Sequence, residues 1–540
     1  MQSFQLAKRL KLPLLILTLI FYFYGLGRLP LLGSDEPRYA EVAREMLARN
    51  ELITPTLGGH TWFEKPALMY WMMMAFFRLF GVNEWSARAP SALGGVMTIL
   101  LLYWMVRRVE KNEDEGLAVW SAAALATSAG CIVFSHAASS DMILTMTVTA
   151  ALASLFASEI ERDAKRRRLL LLGFHAAVGL SLLAKGLVGV VIPYGVAGSY
   201  FILRRERPSR ETLLSLIWGA PVSLLVAGVW YAPVIARHGW TFIDQFFIQH
   251  HFSRFVSNKY HHPQRFYFYL PILLMLLVPW TLFLIISLIG ARRWDFHEDS
   301  PHARLRVFSL AWLVLPVLFF SLSVSKLPAY ILPVLPAAAV LVGERLKNFM
   351  EGEDRNWIMR ATGALLFLLA VFGIQYVART HVVSWSCALV VVAPLVAAGL
   401  LSLIAPRLRK LCVVSCGAVL FLVPALLVNC DMTKVASRDS VRDLLQAATA
   451  KGYGAAPLFQ LHEAERSSEY YAAGRLAYGQ DGEPLRLEDV SYVESEAGAR
   501  GTILVLVPSK FSYQLYQSPK IITQEIGDNG AFALYAVRAR

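Results

Sequence analysis

Residues 12–40 read LPLLILTLIFYFYGLGRLPLLGSDEPRYA, an apolar run that ends on the acidic pair Asp35 and Glu36. An α-helix needs about 20 mostly apolar residues to cross the hydrocarbon core of a bilayer, and the run at 12–32 has that length. It is too long for a typical signal-peptide core, and no convincing cleavage site follows it. The stretch therefore predicts a first membrane span with an acidic loop directly behind it.

The same pattern of long apolar runs continues along the chain. Of the 540 residues, 56% are hydrophobic and only 17% are charged, a composition that excludes an ordinary soluble protein. We predict a polytopic α-helical membrane protein with about thirteen transmembrane helices. The predicted spans are 12–32, 88–106, 116–135, 141–158, 169–184, 187–203, 212–236, 267–290, 307–323, 328–343, 358–377, 383–404 and 411–429.

The net charge of +13 comes from short basic clusters in alternate connections between these spans. Cytoplasmic loops of membrane proteins carry such an excess of Lys and Arg, so the charge does not indicate a nucleic-acid partner. The N-terminus and the basic connections are therefore predicted to be cytoplasmic. The clusters are Arg107-Arg108, the run 165–168, Arg204-Arg205, Arg292-Arg293, Arg345 with Lys347, and Arg407 with Arg409-Lys410.

This orientation places two long loops, 33–87 and 237–266, on the outer face, the first with an interfacial segment at 67–80. An odd number of spans places the tail there as well. We predict a membrane domain at 1–430 and a small soluble periplasmic α/β domain at 431–540, which is long enough for a modest core. The tail is expected to contain a helix at 441–451 and strand-like segments at 501–508, 520–526 and 531–538.

Cofactor and disulfide motifs are not a feature of this sequence. The five cysteines lie in or beside apolar runs, which is not the pattern of a disulfide scaffold. Walker, dinucleotide-binding, haem and Ser-His-Asp signatures do not stand out, so neither a nucleotide nor a redox cofactor is expected.

The acidic pair Asp35-Glu36 has two interpretations. Both residues precede Pro37, and acidic side chains favour the positive N-terminal end of a helix, so the pair can be a simple helix cap. A carboxylate held at the membrane surface can also act as a general base or orient an acceptor. Spacing alone leaves both interpretations open, and Asp35 and Glu36 remain catalytic candidates.

Single charged residues, Asp141, Lys185 and Lys326, stand at the outer ends of spans, and the pair Glu64-Lys65 lies in the first outer loop. Charges at the membrane edge are costly, so they are candidates for function, although lysines that reach toward the lipid headgroups are a common structural alternative. All of them are predicted to lie on the same face as Asp35, which favours one shared site.

The second outer loop adds His250, His251 and Arg254 within a run of aromatic residues. The aromatic residues are typical of an interfacial belt. The two histidines can supply ligands to a divalent metal together with Glu64, although no HExxH or paired-cysteine motif accompanies them.

These residues resemble the bacterial aminoarabinose transferases, which have the GT-C fold of lipid-phosphosugar-dependent glycosyltransferases. The likeness follows nearly the whole order of spans, whereas the tail from Asp431 looks diverged. The motifs that carry it are Asp35-Glu36-x-Arg38-Tyr39-Ala40-Glu41-x-x-Arg44-Glu45-Met46, Phe63-Glu64-Lys65-Pro66, Lys185-Gly186, His251-x-x-Arg254-Phe255, Pro279-Trp280 and Lys326-Leu327-Pro328-x-Tyr330-Ile331-Leu332.

The resemblance implies a bacterial inner-membrane enzyme whose active site and C-terminus face the periplasm. Its partners would be an undecaprenyl phosphate-linked sugar donor, lipid A or another outer-face acceptor, and membrane lipids, and its transfer would invert the anomeric carbon. Asp35, Glu36 and Asp141 are then the catalytic candidates. The substrate-binding candidates are Arg38, Lys65, Lys185, Arg254, Lys326 and Tyr330, and the metal candidates are Glu64, His251 and His250.

Two alternatives stay open. A related GT-C enzyme would transfer mannose or another sugar from a polyprenyl phosphate to protein or glycan. A transporter of lipid-linked sugars would use the same basic residues, but it should favour inverted repeats and helices broken at mid-membrane.

Overall fold

The structure is a computed structural model that describes residues 2–110, 116–253 and 264–540, without the side chains of 2–8 and 251–253. Within these ranges, nine helices are long and apolar enough to cross a membrane, and two bent helix pairs raise the number to eleven if each pair is one span. The chain is thus a multi-pass membrane protein. The nine helices are Glu84–Arg107, Ser140–Ile160, Ala164–Lys185, Arg210–His250, Pro301–Leu322, Pro328–Glu351, Trp357–Thr380, Trp385–Ile404 and Arg409–Asn429.

Each of the remaining predicted spans also coincides with helical structure. Two of them are the bent pairs, Gly116–Ala126 with Ala129–Ser135 and Phe266–Leu276 with Thr281–Arg293. The other two are the helices Gln2–Phe23 and Val188–Arg204. The prediction of a largely helical membrane protein is confirmed, while the number of thirteen spans stays a prediction.

Two predicted boundaries are wrong. The first helix begins at Gln2 and ends at Phe23 rather than spanning 12–32, because the chain turns at Gly25, whose positive φ of 75° ends a right-handed helix. The span predicted to end at 236 is broken at Gly239, whose φ of 55° is not helical, but the predicted loop behind it is helical again up to Ile243 and then forms a wider π-helical turn, Asp244–Ser253. Phe242 and Phe246 in this stretch are fully buried, so packing of aromatic side chains extends the helix.

The two bent pairs are joined to each other at their breaks. The backbone N–H of Ala129 donates to the carbonyl of Val278 at 3.0 Å. The buried indole N–H of Trp280 donates to Thr127 Oγ1 at 2.9 Å. A break leaves backbone groups without helical partners, and the bond between Ala129 and Val278 satisfies two of them inside the protein, while the bond between Trp280 and Thr127 links side chains.

The described residues form two compact units. The first unit comprises Met1–Tyr24, Phe63–Met69 and Ala89–Leu427, and it contains most of the apolar helices. The second unit comprises Gly25–Trp62, Tyr70–Arg88 and Val428–Arg540. The second unit therefore combines much of the first predicted outer loop with the tail.

The tail contains a five-stranded mixed sheet, in which three strands overlap the predicted segments 501–508, 520–526 and 531–538 and the other two were not predicted. The strand order is β4-β3-β5-β7-β6, with β3 parallel to β4 and β5, and β7 antiparallel to β5 and β6. Every residue of β5 is buried, because apolar clusters cover both faces of the sheet. The strands are β3 Leu458–Leu461, β4 Arg486–Leu487, β5 Ile503–Pro508, β6 Ile521–Asp528 and β7 Phe532–Ala539.

Shorter helices complete the second unit. The first outer loop contributes Asp35–Ala48, Leu68–Phe80 (shared between the units) and a hairpin of β1 Thr56–Leu57 with β2 His60–Thr61. The helices of the tail are Met432–Arg438, Arg442–Ala448, Ser467–Tyr471, Val490–Arg500 and Tyr513–Gln517.

Candidate functional site

An ion pair between Asp141 and Lys185 is the first feature of the predicted site in the first unit. Asp141 stands in the first turn of its helix, where the Ser139 hydroxyl caps the Asp141 N–H and donates to the Asp141 carboxylate at 2.7 Å. The Lys185 ammonium also lies 4.7 Å from the centre of the Tyr330 ring, a cation–π distance. Three predicted site residues from distant parts of the chain are thus brought together.

Lys65 and Glu64 form a second pair, with 2.5 Å between Nζ and Oε1. The preceding Phe63 is buried and packs edge-on against His238 and Phe242, with ring centres 5.0 and 5.1 Å apart. This packing fixes the backbone that carries the pair. Lys65 is also close enough to Asp141 for their charges to interact. We name Glu64, Lys65, Asp141, Lys185 and Tyr330 the lysine–carboxylate cluster.

Lys326 has a different environment. Its ammonium donates to the backbone carbonyls of Ser323 and Gln264, the latter at 3.0 Å, and the side chain is buried. Burial also lowers the pKa of Lys326 below its ordinary value. These bonds hold a turn together, so the ammonium is already engaged by neutral acceptors.

Tyr269 is a residue of this region that the sequence analysis missed. Its fully buried side chain interacts electrostatically with Tyr330 and Asp141, and its ring packs 6.3 Å from that of Phe320. Tyr330 contacts the same Phe320 ring at 5.4 Å. Tyr269 lies in the run FYFYL at 266–270, where an aromatic membrane-belt pattern conceals it.

The predicted metal ligands lie only partly within the described residues. Arg254 and the side chain of His251 lie outside the described residues. Glu64 pairs with Lys65, and His250 is half-buried at the end of its helix. Among the described side chains, no group of three His, Cys, Asp or Glu residues is close enough to hold a metal ion. The metal site stays a prediction.

In the second unit, Asp35 and Glu36 have contrasting environments. Asp35 is exposed at the first position of its helix, with the Ser34 hydroxyl 3.5 Å from Oδ1. Glu36 accepts two bonds from Arg88, at 2.9 and 2.6 Å, and a third from the N–H of Leu32 at 2.9 Å. Only Asp35 therefore presents its carboxylate to solvent.

Arg38 lies one turn further along the same helix. Its guanidinium stacks 4.9 Å from the Trp62 ring centre, and its Nε lies 3.5 Å from the buried carboxylate of Glu469. Its predicted role in substrate binding stays a prediction.

Two buried carboxyl groups, Glu41 and Glu469, adjoin a cavity of about 410 Å³ in the second unit. Burial raises the pKa of Glu41 from 4.5 to about 7, with Arg44 opposing the shift. Burial also raises the pKa of Glu469, opposed chiefly by Arg38. Helix Asp35–Ala48 thus carries a carboxyl group that titrates near neutral pH.

The lysine–carboxylate cluster is suited to binding an anion. Two ammonium groups share a region of apolar helices with two carboxylates and a tyrosine ring, so their charges are balanced before a ligand arrives. A phosphate would accept charge-assisted bonds from both ammonium groups, and bonds of this kind are about twice as strong as neutral ones.

Known proteins resemble this chain in both sequence and structure. A family model described as dolichyl-phosphate-mannose-protein mannosyltransferase matches residues 64–231. An undecaprenyl phosphate-alpha-4-amino-4-deoxy-L-arabinose arabinosyl transferase of Aeromonas salmonicida is 31% identical over 396 residues, 70% of this chain and 68% of the relative. Arabinosyl transferase 1 of Pseudomonas fluorescens is 32% identical over 380 residues, 68% of this chain and 66% of the relative, just under two thirds of its length.

The crystal structure of ArnT from Cupriavidus metallidurans bound to undecaprenyl phosphate matches over 97% of both chains, with a TM-score of 0.80 at 22% identity. At that identity the match shows the fold, which is of the GT-C type, and the predicted fold class is confirmed to this extent.

Proposed function

The chain belongs to the undecaprenyl phosphate-alpha-4-amino-4-deoxy-L-arabinose arabinosyl transferase family, and we propose that it moves this sugar from undecaprenyl phosphate to a phosphate of lipid A. The relatives are named for the donor, and the acceptor follows from the family resemblance of the loop motifs. In this reaction the bond between the anomeric carbon and the carrier phosphate oxygen breaks, and an acceptor oxygen forms the new bond.

The observation that carries the proposal is the lysine–carboxylate cluster. The leaving group is a lipid phosphate, which gains negative charge as the bond breaks, so positioned cations stabilise the transition state more than the ground state. Lys65 and Lys185 supply two such cations within one unit. Arg254, Lys326 and the Tyr330 hydroxyl complete the proposed phosphate-binding set.

Asp35 orients the acceptor or serves as its base. A lipid A phosphate is largely ionised already, so positioning and charge balance matter more than proton removal. With a hydroxyl acceptor, Asp35 would accept the proton. Its exposed carboxylate supports this assignment over Glu36, whose oxygens are taken by Arg88. A single displacement of this kind inverts the anomeric carbon.

The proposed setting is the bacterial inner membrane, with thirteen spans and with the active site, loop 33–87, the segment 237–266 and the domain 431–540 on the periplasmic face. The basic clusters of the alternate connections support this orientation through the positive-inside rule. A divalent metal held by Glu64, His251 and His250 is part of the proposal. It would supply a fixed positive charge near the substrate, and no step above depends on it.

A second candidate function is transfer of mannose or another sugar from a polyprenyl phosphate to protein or glycan. The match of residues 64–231 to the mannosyltransferase family model favours it. Supplying purified protein with carriers loaded with different sugars would separate the candidates. Family membership disfavours the transporter alternative.

Mass spectrometry of lipid A tests the proposed function directly. Cells that express the protein should produce lipid A with the mass of one added aminoarabinose per modified phosphate, and cells without it should not. Unchanged lipid A from expressing cells that also make the donor would exclude this acceptor.

The Asp35→Asn variant tests the catalytic assignment. The amide keeps the shape of the side chain but removes its charge, so transfer should fall by at least about 100-fold. Asp481→Asn is the matched control, because Asp481 is another exposed aspartate of the second unit and its change to asparagine should leave the rate nearly unchanged. Normal turnover by purified Asp35→Asn protein would show that this residue only caps the helix.

A further inference from the structure

Arg88 is a nearly fully buried arginine of the second unit, only 4% exposed, and all five of its N–H groups donate hydrogen bonds. Three bonds go to backbone carbonyls, those of Leu26 at 2.7 Å, Leu29 at 2.8 Å and Pro30 at 2.7 Å. The other two go to the carboxylate of Glu36. A single guanidinium thus binds three points of the segment that leads into the helix carrying Asp35, and one residue in the first turn of that helix.

This segment, residues 26–34, has no helix or strand that would fix it. Turns and irregular backbone leave its polar groups without a regular ladder of hydrogen bonds, so side chains must satisfy them. The N–H of Leu31 donates to the Tyr471 hydroxyl at 2.7 Å, and that of Leu32 donates to Glu36 at 2.9 Å. Arg88 therefore supplies hydrogen bonds that hold this segment in place, as backbone hydrogen bonds hold a helix.

Glu36 completes the arrangement as the counter-ion of Arg88. Its two oxygens accept three hydrogen bonds, and its side chain is 13% exposed. A carboxylate engaged in this way is a poor base, because each bond stabilises its charged form. Asp35 is its direct neighbour, so any movement of Glu36 also moves the start of the helix.

We propose that Arg88 and Glu36 are positioning residues that fix Asp35, and that Glu36 takes no part in proton transfer. The inference rests on the proposed function, in which Asp35 is the group that meets the acceptor. Displacement of a reacting group by about 1 Å can cost a factor of 100 in rate, so a residue that sets this position controls turnover without touching substrate.

Lysine cannot replace Arg88 in this role. An ammonium has three donors and no planar fork, so it cannot reach three carbonyls and both oxygens of Glu36 together. The same reasoning predicts that exchanging the two charges, Glu36→Arg with Arg88→Glu, restores no activity. A glutamate at position 88 would face the carbonyls of Leu26, Leu29 and Pro30 without donors.

The test compares purified full-length variants in detergent, with an undecaprenyl phosphate-linked sugar as donor. Arg88→Lys should lower kcat by about tenfold or more while the KM for the donor stays within about twofold, because the transition state rather than donor binding is affected. Arg49→Lys is the matched control. Arg49 also donates to backbone carbonyls in the second unit, those of Glu45 and Thr54, and its variant should keep the wild-type kcat.

Two further measurements separate positioning from general support of the fold. Hydrogen exchange of the amides at 26–36 should rise in Arg88→Lys while exchange in the sheet of the tail stays unchanged. In an Asp35→Asn background, Arg88→Lys should cause no additional loss of rate, since it acts through the residue already removed. If Arg88→Lys does not accumulate, Glu36→Gln replaces it, because this variant keeps the shape of the side chain. It is then used for the kinetics, for the hydrogen exchange and for the rate in the Asp35→Asn background.

Wild-type kcat in these variants, a loss of rate that adds to that of Asp35→Asn, or raised exchange throughout the second unit would each overturn the inference. Failure of the proposed function has a different signature. In that case Asp35→Asn itself retains activity or the donor is not turned over by the wild type, whereas the exchange measurement still reports whether Arg88 holds the segment.

Discussion

At the scale of single residues, charged side chains among the apolar helices are the feature that costs the most free energy of folding. Asp141 and Lys185 are each about 15% exposed and neutralise one another. Removing one member of a buried pair leaves an uncompensated charge and typically costs about 3–5 kcal/mol, whereas removing both can be nearly neutral. Variants in this cluster must therefore be designed in pairs.

Carrier binding is predicted to depend on the lysine–carboxylate cluster. The double variant Asp141→Asn with Lys185→Gln removes both charges and should still fold, yet its affinity for undecaprenyl phosphate in detergent should fall by at least about tenfold, or 1.4 kcal/mol. The double variant Glu64→Gln with Lys65→Gln, which removes both charges of the second pair, should weaken binding similarly. Lys326→Ala should have a smaller effect, because two carbonyls already hold that ammonium. Arg254→Lys should keep the charge but lose bidentate contact with phosphate.

Lys434→Ala provides the control for these binding measurements. Lys434 is 83% exposed and pairs only with a neighbour in sequence, Asp431, so its loss should not change the affinity. Wild-type affinity in both double variants would place the carrier phosphate elsewhere.

At the scale of elements, the bond between the two broken spans is predicted to stabilise the first unit. Trp280→Phe removes the donor to Thr127, but the Thr127 hydroxyl keeps its own bond to the carbonyl of Ala123. The loss should therefore be close to a net hydrogen bond, about 0.5–1.5 kcal/mol, in addition to the cost of the smaller ring. Thermal unfolding in detergent measures it.

Trp120→Phe is the matched control for that comparison. Trp120 is equally buried in the first unit, and its indole N–H has no hydrogen-bond partner among the described residues. Both variants shrink the same type of side chain, so the difference between their unfolding temperatures reports the hydrogen bond. Equal temperatures would show that the bond at the breaks adds no stability.

Helix Asp35–Ala48 is predicted to make stability depend on pH through Glu41, whose pKa is raised to about 7 by burial. Between its unfolded value of 4.5 and about 7, the folded protein holds a proton that the unfolded chain has released. The stabilising contribution is therefore complete below about pH 4.5 and is lost as the pH rises toward 7, by at most about 1.4 kcal/mol per pH unit.

Glu41→Gln should remove this part of the pH dependence, so the variant gains stability relative to the wild type as the pH rises. Thermal unfolding across this range measures the difference. Glu494→Gln is the control, because bonds from Ser518 and Lys520 lower the pKa of Glu494 and its titration lies below the range. Identical pH dependence of wild type and Glu41→Gln would contradict the assignment.

At the scale of the whole molecule, the distribution of basic residues predicts the orientation of the chain. A reporter enzyme that works only in the periplasm should be active when fused after Arg540, because thirteen spans from a cytoplasmic N-terminus end outside. Fusion after Arg168, in the basic run 165–168, should leave it inactive. An inactive reporter after Arg540 would mean that one span has been miscounted.

The sequence by itself determined the membrane class, the approximate positions of the apolar helices that the structure describes and three of the five strands of the tail. These properties depend on whether each stretch of side chains is buried in lipid or in a protein core. Local composition and periodicity are enough to predict this burial. The same reasoning failed at the end of the first helix and at residues 237–253. A glycine conformation decides the first boundary, and burial of Phe242 and Phe246 decides the second.

Only the tertiary structure decided which charges become partners. The sequence placed Asp35 and Glu36 side by side as equal candidates, but Arg88, 52 residues away, engages one and not the other. Lys185 meets Asp141 across 44 residues and also lies against the ring of Tyr330. Such pairing depends on how helices pack against each other. The residue type alone does not indicate whether a carboxylate will face a guanidinium or only water in the folded protein.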